Sequence, residues 1–277
     1  MLGLFFRKNF YDGWDNVMFL FVPNLILDLL VILTTALCIP GLKFQDSNFY
    51  LYIWIALGVI CVTGFSILSL AWAESAEKIA DYGSFEFKEF FRAIKGCIKD
   101  GILFALTLIL VGTVCGVLVL NLLFPRGETS VTFVGLLAGA VDLWLALIIL
   151  MALSWYPSLR AKMHNPFVKS IKKCLIIFMD NLVVSVTVSI YTTVLAVISV
   201  IMLGIAPGMA GIELARANAL RLLLKKYDYI EELDKQNEPA ASPARKRIPW
   251  NELLKDENEA NPPRGFKEFW MPWKSNQ

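Results

Sequence analysis

The chain has 277 residues, of which 57% are hydrophobic and 18% charged, and its mean hydropathy is +0.59. A soluble domain of this length needs much less apolar surface for its core, so the composition excludes an ordinary soluble protein. The formal net charge of +2 excludes little, because the positions of Lys and Arg decide how a membrane protein is oriented. We therefore expect an all-α, polytopic membrane helix bundle over residues 1–229, followed by a flexible polar cytoplasmic tail over residues 230–277.

The first 155 residues contain four apolar segments that are long enough to span a membrane. The first is about 22 residues long, or about 33 Å at the helical rise, which is enough to cross a bilayer. No small-residue cleavage site follows the apolar start of the chain, so we expect this first helix itself to direct insertion. Pro40, Pro125 and Pro157 lie where helices are expected to end. The predicted spanning helices are 17–38, 51–72, 102–124 and 131–155.

The next apolar run is too long for one crossing. Residues 174–212 contain only one charged residue, Asp180. Two interpretations remain open. Either two short helices cover about 175–191 and 193–212, with a tight turn near Tyr191 to Thr193, or one helix spans about 181–205.

Lys and Arg residues are concentrated in alternate loops. The loop between the second and third helices and the loop before the fifth carry five each, whereas the other two loops carry only Lys43 and Arg126. By the positive-inside rule, the basic loops and the N-terminus are cytoplasmic, and the cations after Ile212 place the C-terminal end there too. Both ends inside require an even number of crossings. We therefore predict six transmembrane helices, with five plus a surface helix as the alternative.

The segment SFEFKEFFRAIKGCIKD, residues 84–100, has the pattern of an amphipathic helix. We expect it to lie flat at the cytoplasmic membrane surface. Its F-x-x-x-I-K-x-C pattern returns at residues 167–174, again before an apolar run, which indicates a weak internal repeat. The residues that mark this predicted interfacial helix are Phe90, Phe91, Ile94 and Lys95.

Two aspartates lie at membrane depth. Asp28 is near the middle of the first predicted helix, with Asn24 one turn earlier on the same face, and Asp142 is near the middle of the fourth. A carboxylate there costs about 2.5 to 3.5 kcal/mol on insertion scales. We expect both to face the bundle interior, either protonated or hydrogen-bonded to groups such as Asn24 or Thr34. They would serve as interhelical contacts or as a proton-coupled pathway.

The end of the chain, GFKEFWMPWKSNQ, is unusually aromatic for a polar tail. A polar segment over residues 231–261 precedes it and is typical of a linker. The aromatic residues favour either an anchor at the membrane interface or a short motif that docks on a partner protein. They are Phe266, Phe269, Trp270 and Trp273.

The sequence contains no recognisable catalytic or metal-binding motif. It has one histidine, and its five cysteines are scattered without a C-x-x-C pair. We therefore expect no enzyme activity, cofactor or metal. The expected partners are the lipid bilayer and membrane transporter subunits rather than nucleic acid, and the oligomeric state is left open.

Several features together resemble the YesL-like family of bacterial multi-pass membrane proteins. They are the GLFF start, Gly13 and Trp14 before a helix containing Asn24, the segment SFEFKEFFRAIK, and the pair Pro207 and Gly208. The resemblance covers about residues 1 to 226 and implies a multi-pass protein of the bacterial cytoplasmic membrane. Members of this family are often linked to carbohydrate uptake and regarded as transporter accessories. The family supplies no catalytic residues, and Asp28 and the tail lie outside its pattern.

These observations lead to two functional hypotheses. The first is an accessory or assembly component of a bacterial transport system, which binds partners through its basic cytoplasmic loops and aromatic tail. The alternative is a small proton-coupled transporter that uses Asp28 and Asp142.

Overall fold

The structure is a computed structural model that describes residues 1–41, 48–123, 133–235 and 248–265. All regular secondary structure in these ranges is helical, which confirms the all-α class. The helices are α1 (Leu2–Asp15), α2 (Val17–Gly41), α3 (Asn48–Ala80), α4 (Phe87–Leu123), α5 (Phe133–Leu153), α6 (Tyr156–Met163), α7 (Phe167–Asp180), α8 (Leu182–Ile201), α9 (Gly208–Lys235), α10 (Trp250–Leu253) and α11 (Lys255–Ala260).

Five helical segments in the described part of the chain are long and apolar enough to cross a membrane. Their mean hydropathies lie between 2.1 and 2.5, and only 17 to 22% of the residues in their most apolar stretches are buried. Most of their apolar surface therefore faces outward, as expected for helices surrounded by lipid. The segments are Val17–Ala36, Tyr52–Ala80, Phe87–Leu118, Phe133–Met163 and Leu182–Ile201.

Helix α4 is continuous over 37 residues, so the predicted interfacial helix and the third predicted span form one element. Phe90 is buried in an apolar cluster with residues of α2, α3 and α9, and Ile94 packs against this cluster. Phe91 and Lys95 are exposed. A separate flat helix is therefore not confirmed. Gly101 does not break the helix; it allows close packing, because a Cβ there would overlap Ile67 of α3.

The turn expected near Tyr191 to Thr193 is not present, because α8 continues through these residues. They include neither glycine nor proline, and β-branched residues are tolerated in helices that pack against neighbours. The chain instead leaves the helical conformation over residues 202–207. Gly204 and Gly208 have φ values of 82° and 58° there, a backbone conformation that favours glycine.

The chain divides into two compact units. The larger comprises residues Asn16–Ala217, and the other combines Met1–Asp15 with Asn218–Gln277. In this division, α1 and residues 218–235 of α9 group with the tail.

The larger unit has an apolar core formed by α2, α3, α4 and α9. Trp72 lies in this core beside small residues such as Ala71 and Ala76, which let the helices approach closely. The fully buried members from the four helices are Phe19, Ala71, Trp72, Ala76, Ile79, Ala80, Phe90, Ala210, Leu214 and Ala217.

The smaller unit, which we call the terminal unit, joins the two ends of the chain. The backbone N–H of Arg264 donates to the Tyr11 hydroxyl at 2.8 Å, and the Arg264 guanidinium pairs with Asp15 at 2.8 Å. Arg221 pairs with Glu257 at the same distance. The described part of the tail is therefore folded, whereas the sequence predicted a flexible segment.

Candidate functional site

Asn24 holds the non-helical segment between α8 and α9. Its side-chain amide donates to the carbonyls of Ile205 and Pro207, and its oxygen accepts the Ala210 N–H at 3.1 Å. A Cβ at Gly208 would overlap the Asn24 side chain. Asn24 is fully buried, so it satisfies backbone groups that would otherwise be stranded at the start of α9.

Asp28 lies one turn further along α2, against the same segment. It is half-buried, and a Cβ at Gly204 would overlap its carboxylate. Among the described residues, no hydrogen bond joins Asp28 to Asn24 or Thr34; the alternative, a protonated Asp28, stays a prediction. Asn24 is engaged by the backbone of residues 205–210, and the Thr34 hydroxyl donates to carbonyls of its own helix.

Asp142 lies in α5 and is half-buried. Its Oδ2 atom is enclosed and has no hydrogen-bond partner in the described part of the chain. The structure gives Asp28 and Asp142 no hydrogen bond to each other.

Arg160 of α6 joins α3 and α4 by an ion-pair cluster that the sequence did not predict. Its guanidinium pairs with Glu74, and its Nε donates to Asp100 at 3.0 Å. The Nη1 atom also contacts Cys97 Sγ at 3.3 Å. At the same end of α3, Lys162 pairs with Glu77 at 2.7 Å, and it also pairs with Asp81, the residue after α3, at 2.6 Å. These contacts neutralise charged groups beside the apolar segments and hold three helices together.

A second arginine, Arg216 of α9, belongs to a different arrangement. Its Nη1 donates to Glu213 Oε1 at 2.8 Å, and the Ser69 hydroxyl of α3 donates to the same oxygen at 2.9 Å. Glu213 has no solvent exposure, and its Oε2 atom has no hydrogen-bond partner among the described residues. Burial raises the pKa of Glu213 above its usual range, while Arg216 and Ser69 act in the opposite direction.

This pair lies beside a cavity of about 170 Å³ in the larger unit. Its lining includes three polar residues, Ser69, Ser154 and Arg216, and all other side chains that line it are apolar. The apolar side chains come from α3, α4, α5, α6 and α9 and are Phe65, Phe104, Leu108, Leu150, Leu153, Pro157 and Met209. A single guanidinium in an apolar wall is a common arrangement for orienting a ligand.

No group of three or more His, Cys, Asp or Glu side chains that could hold a metal ion occurs among the described residues. The predicted aromatic motif, Phe266, Phe269, Trp270 and Trp273, lies outside the described residues.

The chain matches no protein-family model, no curated protein and no solved structure. The resemblance to the YesL-like family therefore stays a prediction.

Sequence reasoning missed the roles of Arg160, Glu74, Glu213 and Arg216. Charged residues near the ends of apolar segments are usually inexpensive and solvated, so their positions alone carried no signal. The spacing of Glu213 and Arg216 is that of neighbours on one helix face, which was visible in the sequence. Their burial depends on contacts with α3 that sequence does not reveal.

Proposed function

We propose that this protein is an accessory or assembly component of a membrane transport system. The observation that carries this proposal is the terminal unit, a compact body that contains none of the five apolar segments. Such a unit offers a folded surface for a partner protein, and the aromatic residues follow its described part in the sequence. The link to transport rests on the resemblance to the YesL-like family.

The surface of α4 supports a partner within the membrane as well. A Cβ at Gly112 or Gly116 would have no atom of another described helix within 4 Å. Within the described part of the chain, these glycines, four residues apart, therefore do not serve helix contacts. Small residues at this spacing let a second helix approach closely, so a helix of a partner subunit fits this face.

The proposal is tested by mild detergent extraction, affinity capture and mass spectrometry of proteins that accompany the full chain. We expect a stoichiometric membrane-transport partner that is lost when residues 266–277 are deleted. This cut, after Gly265, removes the aromatic segment and keeps Arg264 with its contacts to Tyr11 and Asp15.

A cut after Asn261 serves as the matched comparison, because it also removes Arg264. Partner loss only with the longer deletion would assign binding to the folded terminal unit rather than to the aromatic segment. If the full chain is recovered alone, the accessory function is wrong.

A second candidate function is a small proton-coupled transporter that uses Asp28 and Asp142. The enclosed, unpartnered Oδ2 of Asp142 and the non-helical segment beside Asp28 favour it, because buried acids and broken helices are common at transport sites. Asp28→Asn and Asp142→Asn should abolish proton-coupled flux in liposomes while the protein still accumulates. Unchanged flux in both variants, or no flux with the wild type, would exclude this function.

We also propose that both termini lie on the cytoplasmic side, as the distribution of Lys and Arg indicates. Five complete crossings would place them on opposite sides. Asn24 is the eighth residue of α2, about 10 Å from its start, and it contacts the segment that follows α8. This position favours an arrangement in which α7 enters the bilayer and α8 comes back to the side where α2 begins, which leaves four complete crossings instead of six.

A phosphatase reporter fused after Leu203 distinguishes these topologies. It should stay inactive if α8 returns to the cytoplasmic side, and it should be active in a six-crossing protein. A fusion after Lys235 is expected to be inactive in both cases.

A further inference from the structure

Arg216 has unused hydrogen-bonding capacity beside the cavity. A guanidinium has five N–H donors, and within the described part of the chain Arg216 donates to one carboxylate oxygen. Its side chain keeps 17% of its surface accessible, whereas that of Glu213 is completely buried. Arg216 can therefore donate hydrogen bonds to a second partner in the cavity while α9 stays in place.

The size and lining of the cavity restrict the ligand. A cavity of about 150 Å³ with apolar walls holds one benzene ring, so about 170 Å³ admits a body of similar size. The apolar walls exclude a strongly hydrated ion such as free phosphate, for which they offer few hydrogen-bond partners. A planar guanidinium is matched by a carboxylate, which can accept two parallel N–H bonds.

We propose that this cavity binds a small carboxylate with an apolar body. The carboxylate pairs with Arg216, the body lies among the Phe and Leu side chains, and Ser154 is placed to offer a further polar contact. Neither the accessory function nor the transport function through Asp28 and Asp142 requires this site, so its test is independent of both.

Binding is coupled to protonation of Glu213. A ligand carboxylate that shares Arg216 divides its positive charge between two anions, while Glu213 keeps Ser69 as its hydrogen-bond donor. A second negative charge close to a buried carboxylate favours its protonated form, and burial already raises the pKa of Glu213. The charged or polar groups that face Glu213 are Arg216 on α9 and Ser69 on α3, and the cavity residues from α4, α5 and α6 do not titrate.

The experiment is equilibrium binding of radiolabelled benzoate to the purified full chain in detergent. We expect saturable binding of one benzoate, weakened at least about tenfold by Arg216→Gln. Arg92→Gln is the matched control, since Arg92 is exposed on α4 and should leave binding unchanged. Benzamide, which has the same body without the charge, should bind at least about tenfold more weakly.

A second variant keeps the test decisive if Arg216→Gln fails to fold. Leu108→Trp fills the cavity from α4 and leaves Arg216 in place, so it should abolish binding while the melting temperature shows an intact fold. Benzoate binding that survives both substitutions, or is not saturable in the wild type, would overturn the proposal. Arg216-dependent binding of decanoate without binding of benzoate would assign the site to an acyl chain from the bilayer and overturn the small-ligand assignment.

The proton coupling is measured between pH 6 and pH 8, where benzoate itself stays ionised because carboxyl groups in water titrate near pH 4. Affinity of the wild type should fall as the pH rises. The Glu213→Gln variant should bind with the same affinity across this range. Wild-type affinity that is independent of pH would refute the coupling.

Discussion

Two arginines of the larger unit, Arg160 of α6 and Arg216 of α9, have different surroundings. Arg160 contacts two carboxylates, Glu74 and Asp100, and a carbonyl oxygen, that of Gly96. Arg216 contacts a single buried carboxylate and faces a cavity. An arginine whose donors are used by its own chain holds helices together, whereas one with donors left beside a cavity can bind a ligand.

The largest expected effect is on stability, from Arg160→Gln. The variant leaves Glu74 and Asp100 close together without their cation, and their side chains are only about a quarter exposed. We expect a loss of about 2 to 4 kcal/mol in unfolding free energy, reduced from the value for a fully buried pair by partial solvent screening. Thermal unfolding in detergent measures it. An unchanged melting temperature would show that the cluster is not structural.

The next effect comes from Asn24→Leu, which releases the start of α9. The carbonyls of Ile205 and Pro207 and the N–H of Ala210 lose their partner, at a cost of about 1 to 3 kcal/mol for a buried group left unsatisfied. Because α9 carries Arg216, benzoate binding should weaken as well, while the Arg160 cluster stays intact. Asp28→Asn, one turn away, is the control and should change stability little. Equal effects of the two substitutions would contradict the role assigned to Asn24.

A smaller effect, which depends on pH, distinguishes the two arginines. Burial raises the pKa of Glu213 in the folded protein above its ordinary value of 4.5, so its contribution to stability is fully present below that value. It is lost as the pH rises through the folded pKa. Arg216→Gln removes a group that lowers this pKa, so its destabilisation should grow from pH 5 to pH 8.

The double variant Arg216→Gln, Glu213→Gln should remove that added pH dependence, which unfolding at several pH values would show. Arg160→Gln should not acquire the same dependence on Glu213. If the double variant keeps the full slope, another group is responsible.

The smallest effect is expected from Cys97→Ser in the Arg160 cluster. The thiol contacts Arg160 at 3.3 Å, but the charged partners of Arg160 are the carboxylates of Glu74 and Asp100. A serine preserves a polar atom of similar size, so we expect a change below about 1 kcal/mol. A larger loss would mean that packing around the buried thiol contributes more than the ion pairs.

The two predicted acids show how far pattern reasoning reached. The sequence placed Asp28 and Asp142 within apolar helices, and the structure describes both as half-buried. It did not reveal that Asn24 binds the backbone of residues 205–210, because that contact joins positions more than 180 residues apart. The pair Glu213 and Arg216 was overlooked for the same reason, since its burial depends on Ser69 of α3.

The sequence by itself determined the helical class and the presence of apolar segments long enough to span a membrane. These properties depend on local composition and on length, which are readable without contacts. Only the tertiary structure decided that the residues of the predicted interfacial helix continue into α4, that the tail folds onto α1, and that Arg216 lines a cavity. The reason is physical: whether an amphipathic face meets lipid, water or another helix depends on long-range packing, and the same pattern of residues fits all three.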